Sequence, residues 1–126
     1  MPHVTLEYTD NIDLEIVFDD LFSRIHSVLV EVGGLKIGNC KSRAVRLDSY
    51  HVGDGAGNSA FVHVDIRFLE GRPPDVKNEI SRAVLEILVD AYGPAVGGGD
   101  VQLTVEVRDI ERNTYAKFPA GSLEYP

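Results

Sequence analysis

A chain of 126 residues with 44% apolar and 25% charged residues has the balance of one globular domain with a real core, and not that of a disordered chain. Its net charge of −8 argues against nucleic acid or an anionic membrane as partner, because both need a basic footprint. A small anionic substrate is compatible with that charge only where Lys and Arg cluster locally against the overall field.

Further exclusions are local. No stretch approaches the roughly 18 apolar residues that would cross a bilayer. Asp10 and Asp13 interrupt the place where an export signal would be greasy. Cys40 is the single cysteine, which excludes an internal disulfide and fits a cytoplasmic, reducing location.

The chain opens Met1-Pro2-His3. A small second residue favours loss of the initiator methionine. Pro2 would then carry a secondary amine, a base that no internal residue supplies, whereas with Met1 attached its nitrogen is an amide without a proton. A first strand is expected over 3–8. Phe18, Leu21, Phe22, Ile25, Val28, Leu29 and Val32 then recur at steps of three and four, which predicts an amphipathic helix stopping at Gly33-Gly34. Asp19 and Asp20 fall on its exposed side as solvated carboxylates.

A second strand is expected over 42–51. The stretch HVGDGAGNSA, residues 51–60, reads as a flexible connector; no Gly-Lys-Ser/Thr follows it and no helix begins there. A third strand is expected over 60–69. Gly71-Arg72-Pro73-Pro74 leads into a second helix, because proline suits a first turn whose N–H groups lack partners. Its stripe of Val76, Ile80, Ala83, Val84, Ile87, Leu88 and Ala91 is expected to end at Gly93-Pro94, before a last strand over 100–108.

The order is β-α-β twice, at an offset of about 60 that sets Val4 on Val64 and Gly33 on Gly93, an internal duplication. The whole of 1–126 reads as a single domain, with halves of about 1–52 and 60–118. Alternation gives one apolar sheet face: Val4, Leu6, Tyr8; Val45, Leu47; Val62, Val64, Ile66, Phe68; Val101, Leu103, Val105, Val107. The other carries His3, Thr5, Glu7; Arg46, Asp48; His63, Asp65, Arg67; Gln102, Thr104, Glu106, Arg108. A two-layer α/β sandwich follows, with both helices on the apolar face and the polar face wet or turned toward other polar sheets.

Chemistry-bearing residues are few. His3 and His63 share the polar face without metal-ligand spacing and read as a solvated or hydrogen-bonded surface pair; His26 and His51 have less company still. Cys40 sits near Lys41 and Arg43, which would lower a thiol pKa, but no partnered histidine is evident and it reads as structural. No Gly-x-Ser-x-Gly elbow is present. Three places remain: Lys41-Ser42-Arg43, Glu70-Gly71-Arg72 and Tyr115-Ala116-Lys117-Phe118. Taken singly, each reads as charge or aromatic residues at a loop edge.

Together with Pro2, these residues resemble the tautomerase superfamily, and within it most closely the 5-carboxymethyl-2-hydroxymuconate isomerases. The resemblance covers nearly the whole chain: the opening Pro2-His3, Asp10-Asn11-Ile12, Lys41-Ser42-Arg43, Asp54-Gly55, Ala60-Phe61-Val62-His63, Gly71-Arg72, and the long helix with its final strand. It implies an α+β sandwich of tandem β-α-β repeats with a mixed four-stranded sheet, assembled as a homotrimer. It also implies that Pro2, after removal of Met1, is the base that moves a proton from a dienol hydroxyl to carbon, with no cofactor and no metal.

Basic residues at the family's positions bind the substrate carboxylates. Arg72 matches one directly, and Lys41 stands where the family usually has arginine. Lysine offers a mobile point charge in place of a planar fork, and Arg43, two residues on, is placed to share the load. Tyr115 and Phe118, with Leu6, would supply the apolar wall. A free α-amine titrates near 8, and both burial and adjacent cations push it lower, toward the operating pH of a general base.

Two other readings stand beside this one. Superfamily relatives use the same proline in decarboxylation or in hydration-driven dehalogenation, which usually need an additional acid to activate water. The element order is also that of ferredoxin-like binding modules, which have no use for a free Pro2.

Overall fold

The computed structural model describes residues 2–96 and 100–119. Its elements are β1 (His3–Thr9), α1 (Phe18–Glu31), β2 (Lys41–Leu47), β3 (Ala60–Leu69), α2 (Pro74–Val96) and β4 (Val101–Ile110). Short 3₁₀ turns lie at Ile37–Asn39 and Arg112–Thr114. The sheet order is β2-β1-β3-β4, with β1 parallel to β2, β3 parallel to β4, and β1 antiparallel to β3. Each β-α-β unit therefore keeps its two parallel strands as direct neighbours. That differs from the ferredoxin-like arrangement, in which the units are split and interlock.

Periodicity explains the layers. Val4, Leu6, Val62, Val64, Ile66 and Phe68 are wholly buried on the helix side of the two central strands. Leu21, Ile25 and Leu29 of α1 and Ile80, Val84, Ile87, Leu88 and Tyr92 of α2 close over them. Burying each such side chain is worth roughly 1.5–3 kcal/mol, far more than helix propensity contributes, so packing of the two stripes holds these helices in place.

The end of α1 is set by two glycines. Gly34 takes φ +68°, its N–H bonds Val30 O at 3.1 Å, and the Leu35 N–H reaches back to Leu29 O at 3.2 Å. This left-handed cap satisfies the last carbonyls of the helix. A Cβ on Gly33 would stand 2.7 Å from Leu29 O, so the turn has no room for a side chain there.

Three expectations are corrected. β2 stops at Leu47 instead of reaching 51, because its partner β1 ends at Thr9, opposite Leu47, and the ladder closes with Asp10 N–H on Leu47 O at 3.0 Å. The faces of β2 are also reversed. Pairing of Leu6 with Ala44 puts Ser42, Ala44 and Arg46 on the helix side, and Val45 and Leu47 on the open side. The small Ser42 lets α1 approach, and His26 Nε2 lies 2.6 Å from Ser42 Oγ.

Finally, α2 runs through Gly93-Pro94 to Val96. Proline in a helix interior costs about 3 kcal/mol. Here it lies in the last turn, and packing of Tyr92 and Val96 against the core outweighs that cost.

Candidate active site

Strand direction gathers one end of the sheet. His3 at the start of β1 pairs with Lys41 at the start of β2 and with Arg67 near the end of β3. Because β4 runs parallel to β3, with Ile110 opposite Leu69, the segment after β4 emerges at that same end. Pro2 is buried there, and its carbonyl accepts the Lys41 N–H at 3.1 Å.

Odd-numbered residues of β1 and β2 face the open side. His3, Thr5 and Arg43, with Asp65, Arg67, Glu111, Thr114 and Tyr115, line a cleft of about 510 Å³. Arg43 Nη1 lies 3.2 Å from His3 Nδ1, and His3 Nε2 lies 3.0 Å from Tyr115 Oη. The His3 and Tyr115 rings meet edge to face at 6.2 Å. Lys41, beside His3 in register, donates from its ammonium only to its neighbour Asn39 O, at 3.3 Å, among the described residues.

The charges around the cleft divide into two groups. Arg67 and Arg108 hold Asp65 at 2.9 and 3.0 Å. Burial raises the Asp65 pKa, but hydrogen bonds from Arg108 and Arg67 outweigh it and hold the carboxyl below the usual range. Lys41 and Arg43, by contrast, have no carboxylate partner among the described residues. Burial, and then the charges of Arg43, Lys41 and Arg67, push the His3 pKa down, so its imidazole is neutral near pH 7.

The residues singled out from sequence thus separate. Lys41, Arg43 and Tyr115 come together around His3, next to Pro2. Arg72 does not line this cleft. It is 7% exposed, donates from Nε to Gly33 O at 2.6 Å, and lies over the Phe68 ring at 5.2 Å. Phe118 is 96% exposed and Leu6 lies wholly inside the helix–sheet core, so neither walls the cleft within one chain.

His3 is the residue that sequence reasoning passed over. Its partners lie 40 and 112 positions away, and only strand pairing brings them together. Among the described residues no group of three or more His, Cys, Asp and Glu side chains converges as a metal site.

Comparison with known proteins gives the family and the fold. The sequence profile of the 5-carboxymethyl-2-hydroxymuconate isomerase family matches residues 2–120. A 5-carboxymethyl-2-hydroxymuconate Delta-isomerase of Escherichia coli is 23% identical over 125 residues, spanning 94% of this chain and 99% of that protein. The crystal structure of a 5-carboxymethyl-2-hydroxymuconate isomerase from Deinococcus radiodurans R1 superposes with a TM-score of 0.84 at 30% identity, over 92% of this chain and 87% of that one. A fused 4-OT, described as a symmetric trimer, shares the fold at TM-score 0.74 and 16% identity, over 95% of this chain and 94% of that one.

Proposed function

The chain belongs to the 5-carboxymethyl-2-hydroxymuconate isomerase family, and on that premise we propose that it converts a dienol di- or tricarboxylate to its conjugated ketone. Pro2, freed by removal of Met1, takes the proton from the dienol hydroxyl and returns it to carbon, so nothing is oxidised or reduced and no cofactor takes part. Lys41 and Arg43 hold the substrate carboxylates, and their charge offsets the negative charge that develops on oxygen, worth about 3 kcal/mol for a well-placed donor. Tyr115 contributes a hydroxyl to the same cleft. Arg72 lies outside the cleft in this reading and acts on stability, holding the end of α1 through its bond to Gly33 O.

The observation that carries this reading is the pair Lys41 and Arg43. They are two cations without carboxylate partners among the described residues, one strand from Pro2, in a chain of net charge −8. An unpaired cationic pair in an acidic protein is suited to a small polyanion.

The assembly in this reading is a homotrimer, which would turn the polar open face toward its neighbours. The symmetric trimer formed by the fused 4-OT of the same fold supports it. Phe118 and Val45, exposed in one chain, are apolar side chains this assembly would cover.

The test is ultraviolet detection of ketonisation of 5-carboxymethyl-2-hydroxymuconate by protein whose intact mass shows Met1 removed. Rapid conversion is expected, with a loss of about a hundredfold or more in Pro2→Ala. No conversion above buffer would sink the substrate assignment. Equal turnover in Pro2→Ala would take proline out of the mechanism.

A further inference from the structure

Arg43, His3 and Tyr115 form a chain of contacts whose donor order follows from elementary chemistry. A guanidinium has only N–H donors. His3 Nδ1, 3.2 Å from Arg43 Nη1, therefore accepts. A neutral imidazole that accepts at Nδ1 carries its proton on Nε2, and His3 Nε2 faces Tyr115 Oη at 3.0 Å. His3 is thus the donor and the phenol oxygen the acceptor. The opposite order would leave an imidazole N–H pointing at a guanidinium N–H.

Tyr115 keeps its own proton, and that proton cannot lie on the His3 axis. Tyr115 Oη makes no other hydrogen bond among the described residues, and the residue lines the cleft beside Arg43. We propose that His3 is a positioning residue: held by Arg43, it turns the Tyr115 hydroxyl into a donor aimed into the cleft, at the substrate oxygen on which negative charge develops. This deepens the isomerase reading above and rests on it for the identity of that oxygen. A tyrosine whose acceptor side is already engaged is preorganised to donate, which is what a developing oxyanion needs.

The neutral state of His3 is held by what surrounds it. Lys41 and Arg43 face it from β2, Asp65 and Arg67 from β3, and Glu111 and Tyr115 from the segment after β4. Burial of the ring comes first in lowering its pKa, and the charges of Arg43, Lys41 and Arg67 add to it. Acidification protonates Nδ1 and breaks the contact with Arg43.

Two measurements on the mature, full-length protein test this. Nitrogen-15 NMR of labelled histidine should show His3 protonated on Nε2 and bare on Nδ1 at neutral pH; a proton on Nδ1 would overturn the proposal. Steady-state kinetics should then show kcat falling about a hundredfold in Tyr115→Phe and about tenfold in His3→Leu. His3→Gln, which keeps a donor near the same position, should recover most of that loss.

The double variant His3→Leu/Tyr115→Phe should be no slower than Tyr115→Phe alone, since His3 acts through the phenol. Multiplying losses, or a failure of glutamine to rescue, would overturn it. A wild type that turns over no dienol would fail the isomerase reading instead, and the tautomer in the same sample would still judge the His3 arrangement.

Discussion

Arg72 separates two accounts of the same residue. A substrate clamp would be exposed to the cleft, and its loss would be felt in KM. The structure has it 7% exposed, with Nε on Gly33 O at 2.6 Å and its guanidinium 5.2 Å from the Phe68 ring centre. A charge-assisted hydrogen bond to a buried carbonyl is worth about 1.5–3 kcal/mol. A desolvated cation–π contact adds about 2 kcal/mol. Arg72→Ala should therefore cost about 3–5 kcal/mol, a large share of the roughly 5–15 kcal/mol that holds a domain of this kind together.

The assay is urea unfolding of wild type, Arg72→Ala and Arg72→Lys at one fixed protein concentration, since assembly makes apparent stability concentration-dependent. Lysine keeps a charge but lacks the planar fork, so its loss should be intermediate. KM for a dianionic substrate should change little wherever the variant is folded. A loss below about 1 kcal/mol combined with a tenfold or greater rise in KM would refute the reasoning and return Arg72 to the role of carboxylate clamp.

Two other outcomes follow from burial. His26 lies against Ser42 Oγ at 2.6 Å, and burial lowers its pKa from the ordinary 6.5. Between the folded and unfolded values the unfolded chain binds more protons, so the contribution of His26 is full above about pH 6.5 and is lost as pH falls through the folded value. His26→Gln should flatten that acid slope in unfolding free energy, leaving the part due to His3, which shifts in the same direction; identical slopes would contradict the burial argument. Phe118, at 96% exposure, should tolerate alanine within about 0.5 kcal/mol in unfolding measured on dissociated chains. A greater loss there would mean the ring packs within its own chain, while a loss confined to assembly or turnover would assign it to a neighbouring subunit.

Much of this fold was legible in local pattern. The stripes from Phe18 to Val32 and from Val76 to Ala91 are helical because their apolar residues return every three or four positions. Period-two alternation placed β1, β3 and β4 and assigned their faces correctly, since each of them has apolar residues on the side that packs against the helices. The two-layer architecture follows from those periods alone, and Pro2, Lys41, Arg43 and Tyr115 could be marked in the sequence as residues in need of an explanation.

Strand register was not legible, because no local interaction encodes it. In β2 an edge position leaves both faces partly exposed, so Val45 and Leu47 do not reveal their side until Ala44 is seen opposite Leu6. The stop at Gly93-Pro94 is overridden by burial of Tyr92 and Val96 contacts, an energy that belongs to the packed core and not to the helix. The same holds for the site. Arg72 is claimed by a helix end 39 residues away, and His3 acquires its role from Arg43 and Tyr115 only when three separate segments meet at one end of the sheet. Periodicity determines which side of an element is buried where that side is apolar and covered, and pairing between distant segments decides the faces of β2 and which side chains touch.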